Sequence, residues 1–187
     1  LDDREYYGMD ARDDWMIKTY NYKGIKLVAK EHKPFGPVML HEEGPFAKEG
    51  KHLHPVVAVV IEDKEGRVLL QRRSKMVTNP GKLDFSAAGH MDYGETLEET
   101  AKREAREELG TRIRNLRLLT EKGIRNSVNR MHMLFVIGAD TDGRMRLGPE
   151  VDPDGTRFYS KDEIAELVKA GSLTSGAAIY FEKARMG

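Results

Sequence analysis

The sequence predicts an α/β fold, a mixed sheet with helices packed on it, and three observations point there. A β-branched run turns back on itself in "HPVVAVVIEDKEGRVLLQRRS" (54–74), a capped amphipathic helix follows at 97–109, and two more helical segments come after residue 160. The chain has 187 residues, 39% of them apolar, enough for one domain with its own core.

Residues 1–20 are mostly polar, and Trp15, Met16 and Ile17 are the first apolar cluster. They are expected to be weakly structured or packed on a single domain spanning 21–187. "TYNYKGIKLVAKEH" (19–32) reads as two short strands about a Lys23-Gly24 turn, and "KPFGPVMLHEEGPFAKEG" (33–50) as a Pro/Gly-punctuated connection. The hairpin turns at Asp63–Gly66 and belongs inside a sheet, because its first strand is almost continuously β-branched. "VTNPGKLDFSAAG" (77–89) is a loop entering a short strand. Beyond Gly110, "RIRNLRLLTEKG" and "RMHMLFVIGAD" are strand-like, and "TDGRMRLGPEVDPDG" (141–155) is turn-rich. Ser160 with Glu163 forms a capping box for a helix ending near Gly171, and a last helix follows Thr174. Trp15, Tyr20, Tyr22 and Phe35 are assigned to core packing.

Composition narrows the function. Thirty-one basic residues balance thirty-one acidic ones, so the total charge favours neither a nucleic-acid polymer nor a membrane surface as partner. There is no cysteine, which removes disulfides, thiolate ligands and thiol nucleophiles. The longest apolar run, 55–61, is far too short to cross a bilayer, and a cytoplasmic location is expected.

The stretch "GHMDYGETLEETAKREAREELG" (89–110) carries the chemistry. Thr96 and Glu99 make a capping box, and Gly110 stands where a left-handed C-terminal cap belongs. Leu97, Ala101, Ala105 and Leu109 recur at i+4 as a narrow apolar stripe. At 100° per residue, Glu104, Glu107 and Glu108 fall within an arc of about 100° beside it. Such like-charge neighbours cost an isolated helix roughly 0.2–0.5 kcal/mol per pair. Glu98 and Glu99 have basic i+4 partners in Lys102 and Arg103 and read as a solvated face. Arg103 alone cannot neutralise Glu104, Glu107 and Glu108. A hard divalent cation such as Mg²⁺ suits such a carboxylate set, with Arg103 orienting the acids.

Written as fixed positions, the stretch is Gly89, five residues, Glu95, seven residues, then "REAREELG" from Arg103. It resembles the Nudix hydrolase signature, G-x5-E-x7-R-E-U-x-E-E-x-G-U with U aliphatic, at every charged and glycine position. Seven fixed positions match by chance about once in 10⁸ windows. Ala105 is a small U, and Thr111 departs from the aliphatic pattern.

The resemblance implies an α/β/α sandwich around a central mixed β-sheet. It implies metal on Glu104, Glu107 and Glu108 with the Gly89 carbonyl, and Glu95 at the rim positioning metal or water. The activity implied is attack of water on phosphorus in a small diphosphate-containing molecule such as a nucleoside diphosphate derivative. Homodimers are frequent among such proteins. The general base would be Glu104 or a carboxylate after the signature, where Glu150 comes before Asp152 and Asp154.

"HLHP", "LLQRRSK" and "NPGKLDFSAAGHMDYGE" further resemble the branch containing type 1 isopentenyl-diphosphate isomerase and its hydrolase relatives. Where that isomerase has a cysteine before Gly-His, this chain has Ala88, and "SVNRMHMLF" supplies none of the isomerase's later glutamates. Hydrolysis is therefore expected over isomerisation, and the intact acid set favours it over a non-catalytic phosphate-binding module. His90 is assigned to substrate contact. His52 and His54 are read as strand-edge histidines. Arg72 and Arg73 are candidates to grip phosphate oxygens, and strand alternation allows only one of them to face the site.

Overall fold

A computed structural model describes residues 7–12, 15–22, 25–30, 39–42, 52–91, 95–120, 124–125 and 132–186. Before residue 56 it is described by its backbone alone. The spine is β5 (His52–Ile61) and β11 (His132–Thr141), parallel to each other, with Val57 opposite Phe135 and Val59 opposite Ile137. The other edge of β5 is shared by β4 (Met39–Glu42) and β8 (Ala87–His90), both antiparallel to it. β1 (Tyr7–Arg12), β2 (Trp15–Tyr22) and β3 (Ile25–Lys30) continue antiparallel beyond β4. β9 (Ile113–Leu118) and β10 (Ile124–Arg125) pair antiparallel with β11. A second sheet has the order β12 (Val151–Tyr159), β6 (Val68–Arg73), β7 (Leu83–Asp84).

Alternation along β5 and β11 explains the layers. Val57, Val59, Ile61, Phe135 and Ile137 point to one face, where α1 (Leu97–Leu109) lays down Leu97, Ala101, Ala105 and Leu109. Ala58, Val60, Leu134 and Val136 point to the other, which is covered by Phe85 and by α2 (Lys161–Lys169) and α3 (Ser175–Met186). Tyr180 and Phe181 of α3 each bring a ring centroid within 5.7 Å of that of Phe85. A strand buried on both faces has no polar side to show, so β5 reads as an unbroken apolar run. The result is the expected α/β/α sandwich. Complete burial of Leu109 is worth about 1.5–3 kcal/mol.

Both capping boxes form, at Thr96/Glu99 and Ser160/Glu163, and Gly110 takes the left-handed φ of 60°. Thr111, the departure from the signature, is buried and hydrogen-bonds Thr141 Oγ1 at 2.6 Å, so its hydroxyl is satisfied where an aliphatic group was expected.

Three expectations change. The 54–74 segment is not a paired hairpin: the turn forms, with Asp63 Oδ1 accepting from the Glu65 and Arg67 amides, but only Glu62 bridges Val68 before β5 and β6 enter different sheets. Both edges of β5 already have partners, so β6 is free to diverge. Next, "VDPDGTRFY", half of it read as turn, is strand β12. Its pairing with β6 jumps from Asp152–Arg72 to Arg157–Leu70, which marks a bulge that absorbs Pro153 and Gly155. Finally, β1, most of β2 and β4 occupy stretches expected to carry little regular structure, because neighbouring strands supply pairing that the local sequence does not announce. Lys23-Gly24 and the side chains of Trp15, Tyr20, Tyr22, Phe35, His52 and His54 lie outside the described residues.

Candidate active site

The parting of β5 and β6 leaves a cleft of about 550 Å³ whose walls come from both sheets, α1 and the start of α3. Ala88, Gly89 and His90 of β8 and Arg103, Glu104, Glu107 and Glu108 of α1 line it, with Arg73, Asp84, Glu150 and His132.

The α1 acids have unlike surroundings. Glu108 is 7% exposed; its Oε2 accepts from Gln71 Nε2 at 2.6 Å and from the Ala88 amide at 3.0 Å. Burial pushes its carboxyl up to about 8, against the pull of those two donors and with further push from Glu104 and Asp84. Glu104, equally buried, is also raised, first by desolvation, while Arg103 draws it back. Glu107 extends towards solvent.

Arg103 is the hub. Its Nε and Nη2 grip both oxygens of Glu95 at 2.7 and 3.1 Å, its Nη1 reaches Glu104 at 2.6 Å and Glu107 at 3.3 Å, and Nη2 donates to the His90 carbonyl at 2.9 Å. These acids hold the guanidinium protonated still more firmly than usual, Glu95 foremost. Glu95 also accepts from Thr100 Oγ1 at 2.8 Å, so it braces the helix start against Arg103.

Gly89 lies so close that a Cβ there would collide with the Glu104 carboxylate. Only glycine lets this strand backbone lie against that side chain. Among the described residues no three His, Asp or Glu side chains converge tightly enough to hold an ion as they stand. The donor chemistry nonetheless fits a hard cation: two buried carboxylates are penalised when ionised, a third lies beside them, and a backbone fits close against one.

Strand alternation turns the two arginines to opposite faces. Arg73 faces the cleft, with Nη1 3.2 Å from Asp84 Oδ2 and Nε donating to the Thr78 carbonyl at 2.6 Å. Arg72 points the other way, against the β12 bulge, where a Cβ on Gly155 would stand 2.6 Å from its Nε; that buried Nε has no hydrogen-bond partner among the described residues. His90 lines the cleft and approaches His132, Nε2 to Nε2, at 3.2 Å. Glu150 also lines it. Its loop is pinned to α1 by the Gly148 amide donating to the Glu108 carbonyl at 2.8 Å and to β6 by the Ser74 amide donating to the Glu150 carbonyl at 2.9 Å. Asp152 and Asp154 are outside the cleft lining.

Sequence reasoning missed Gln71, Asp84, Thr174 and His132. Gln71 had a signal, since period-2 alternation puts it on the face of Arg73. Asp84 had a weaker one, a lone charge inside the apolar "LDFSAA".

Residues 52–178 match the NUDIX domain family. The chain is 36% identical over 126 residues to a CMP-5'-(N-acetyl-N-hydroxy-3-aminopropyl)phosphonate hydrolase of Streptomyces rubellomurinus, covering 65% of this chain and 59% of that one. It is 35% identical over 95 residues to an isopentenyl-diphosphate Delta-isomerase of Leifsonia xyli, half of each chain. The matched part therefore spans between half and three fifths of these relatives' length. A solved NUDIX hydrolase from Nitrosomonas europaea superposes with a TM-score of 0.55 at 23% identity, over 71% of this chain and 89% of the other, which speaks for the fold alone. Fold, signature and a domain match over well over half of its residues agree: the chain belongs to the Nudix family.

Proposed function

We propose that this protein is a divalent-metal-dependent hydrolase that cleaves the diphosphate bond of a nucleoside diphosphate derivative or a similar small molecule. The observation that carries this is the pair of buried glutamates, Glu104 and Glu108, beside Gly89 and Ala88 in a cleft whose other wall presents Arg73. The relative that hydrolyses a CMP-linked phosphonate supports a phosphorus anhydride as the bond broken.

Glu104, Glu107, Glu108 and the Gly89 carbonyl would hold Mg²⁺ or Mn²⁺, which would neutralise the diphosphate and acidify water there. Arg103 draws the raised Glu104 carboxyl back towards its ionised form and fixes its rotamer, and Glu95 fixes Arg103. Arg73 holds a phosphoryl group, and His90 contacts substrate. The oxygen of water bonds to one phosphorus while the bridging P–O bond breaks onto the leaving phosphate or phosphonate. The proton of the attacking water passes to a carboxylate, for which Glu104 and the loop residue Glu150 are the candidates. A thiol-dependent isomerisation has no support, since Ala88 stands on β8 where the isomerase pattern has cysteine.

The test is a panel of nucleoside triphosphates, dinucleoside polyphosphates, nucleotide sugars, CMP-linked phosphonates and isopentenyl diphosphate, run in ¹⁸O-water with Mg²⁺ or EDTA. Label in one phosphorus product, only with metal, is expected. Rearrangement of isopentenyl diphosphate without cleavage would overturn the reading.

A further inference from the structure

The cleft sets opposite charges within one small volume, with three glutamates and their partner Arg103 on α1 and a second arginine, Arg73, on β6. Left to Coulomb attraction at low dielectric, an arginine would fold onto such acids and cancel both. Arg73 does not: among the described residues its ion pair is with Asp84, Nη1 to Oδ2 at 3.2 Å.

Asp84 is built to hold this arrangement. Only 7% exposed, it stands opposite Gln71 in the β6–β7 register. Its Oδ1 accepts from the Phe85 amide at 2.9 Å and from Thr174 Oγ1 at 2.8 Å, which leaves Oδ2 for Arg73. Thr78 holds the guanidinium from the other side, its carbonyl on Nε and its hydroxyl 3.3 Å from Nη2. The order from β6 to the helix is thus Arg73, Asp84, Gln71, Glu108, with an acid and a neutral amide between the cation and the α1 acids.

We propose that Asp84 is a positioning residue that partitions the charges of the cleft: it fixes Arg73 as the anion-gripping pole and keeps it off the α1 acids, leaving these open to a cation. This rests on the hydrolase reading for the use of the two poles. Its test needs no turnover.

Folded variants are titrated with inorganic pyrophosphate in EDTA by calorimetry and, separately, with Mn²⁺ by electron paramagnetic resonance. In Asp84→Asn, Arg73 loses its carboxylate and turns to Glu108. Pyrophosphate and Mn²⁺ affinities should then each fall about tenfold. Arg73→Met should weaken pyrophosphate binding and leave Mn²⁺ binding as in wild type. Adding Arg73→Met to Asp84→Asn should restore Mn²⁺ affinity to within about twofold of wild type without restoring pyrophosphate, a coupling that a merely structural role does not produce. If Asp84→Asn fails to fold, Asp84→Glu replaces it. The displaced but still charged partner should weaken pyrophosphate severalfold and leave Mn²⁺ unchanged.

Wild-type pyrophosphate affinity in either Asp84 variant, absence of pyrophosphate binding by the wild type, or a loss of Mn²⁺ binding that Arg73→Met does not reverse would overturn the proposal. Unchanged Mn²⁺ binding in Glu108→Gln would instead sink the metal reading, while the pyrophosphate comparison still decides whether Asp84 aligns Arg73.

Discussion

On its outer face α1 carries Glu98, 2.5 Å from Lys102, and Glu99, which closes the capping box on the Thr96 amide. On the cleft side it carries Glu104 and Glu108, each 7% exposed, held by Arg103 on one and by Gln71 and a backbone amide on the other. Residue type and helix are the same, yet water and the first-turn amides solvate the outer carboxylates while the inner ones have lost water for a handful of donors. Desolvation makes the inner carboxylates costly to ionise. That difference separates the acids that hold the helix together from those proposed to take a cation.

Substitutions that exchange the two settings test the contrast. Glu108→Gln should give the largest effect, a fall in metal-dependent turnover of roughly 10³-fold. Stability should move the other way. The Glu108 carboxyl is near 8 in the fold against an ordinary 4.5, so the folded state binds more protons than the unfolded one between those values. The metal-free wild type should therefore lose stability as pH rises through that window, on the order of a few kcal/mol. Urea melts in EDTA at pH 5 and pH 8 should show this slope in wild type and a flatter one in Glu108→Gln.

Arg103→Met strips the cation from Glu95, Glu104 and Glu107 together. Turnover should fall about 10²-fold, and stability about 2 kcal/mol after solvent screening is allowed for. Steady-state kinetics and a thermal melt check it, and added Mn²⁺ should recover part of the melt. Gly89→Ala drives a methyl into the Glu104 carboxylate, so kcat should drop about tenfold with a stability loss of about 1–3 kcal/mol. Glu98→Ala closes the series. The loss of an exposed i,i+4 pair should cost about 0.5 kcal/mol or less and leave kcat/KM alone. A fall in turnover there would erase the contrast.

The helix was legible because its information is local. Thr96, Glu99, Gly110 and the i+4 stripe specify start, stop and buried face of a thirteen-residue helix, and the observed bounds are those expected. The grouping of Glu104, Glu107 and Glu108 followed from helix geometry alone. The strands were less so. β12 hides behind Pro153 and Gly155, and β6 pairs with it rather than with β5, because a turn shows that the chain reverses and says nothing of which edge captures it. Alternation said that one of Arg72 and Arg73 faces the site; the bulge at Gly155, which receives Arg72, decides which.

By itself, then, the sequence determined the α/β class, the capped acidic helix and the carboxylates it gathers, since those depend on periodicities of a few residues. Tertiary structure alone decided that β5 and β6 part to open a cleft, that Asp84 enters it while buried Gln71 holds Glu108, and that Glu150 comes to its wall while Asp152 and Asp154 do not. Those outcomes depend on contacts between residues up to 90 positions apart, as between Asp84 and Thr174, and no local pattern encodes which distant group will satisfy a buried charge.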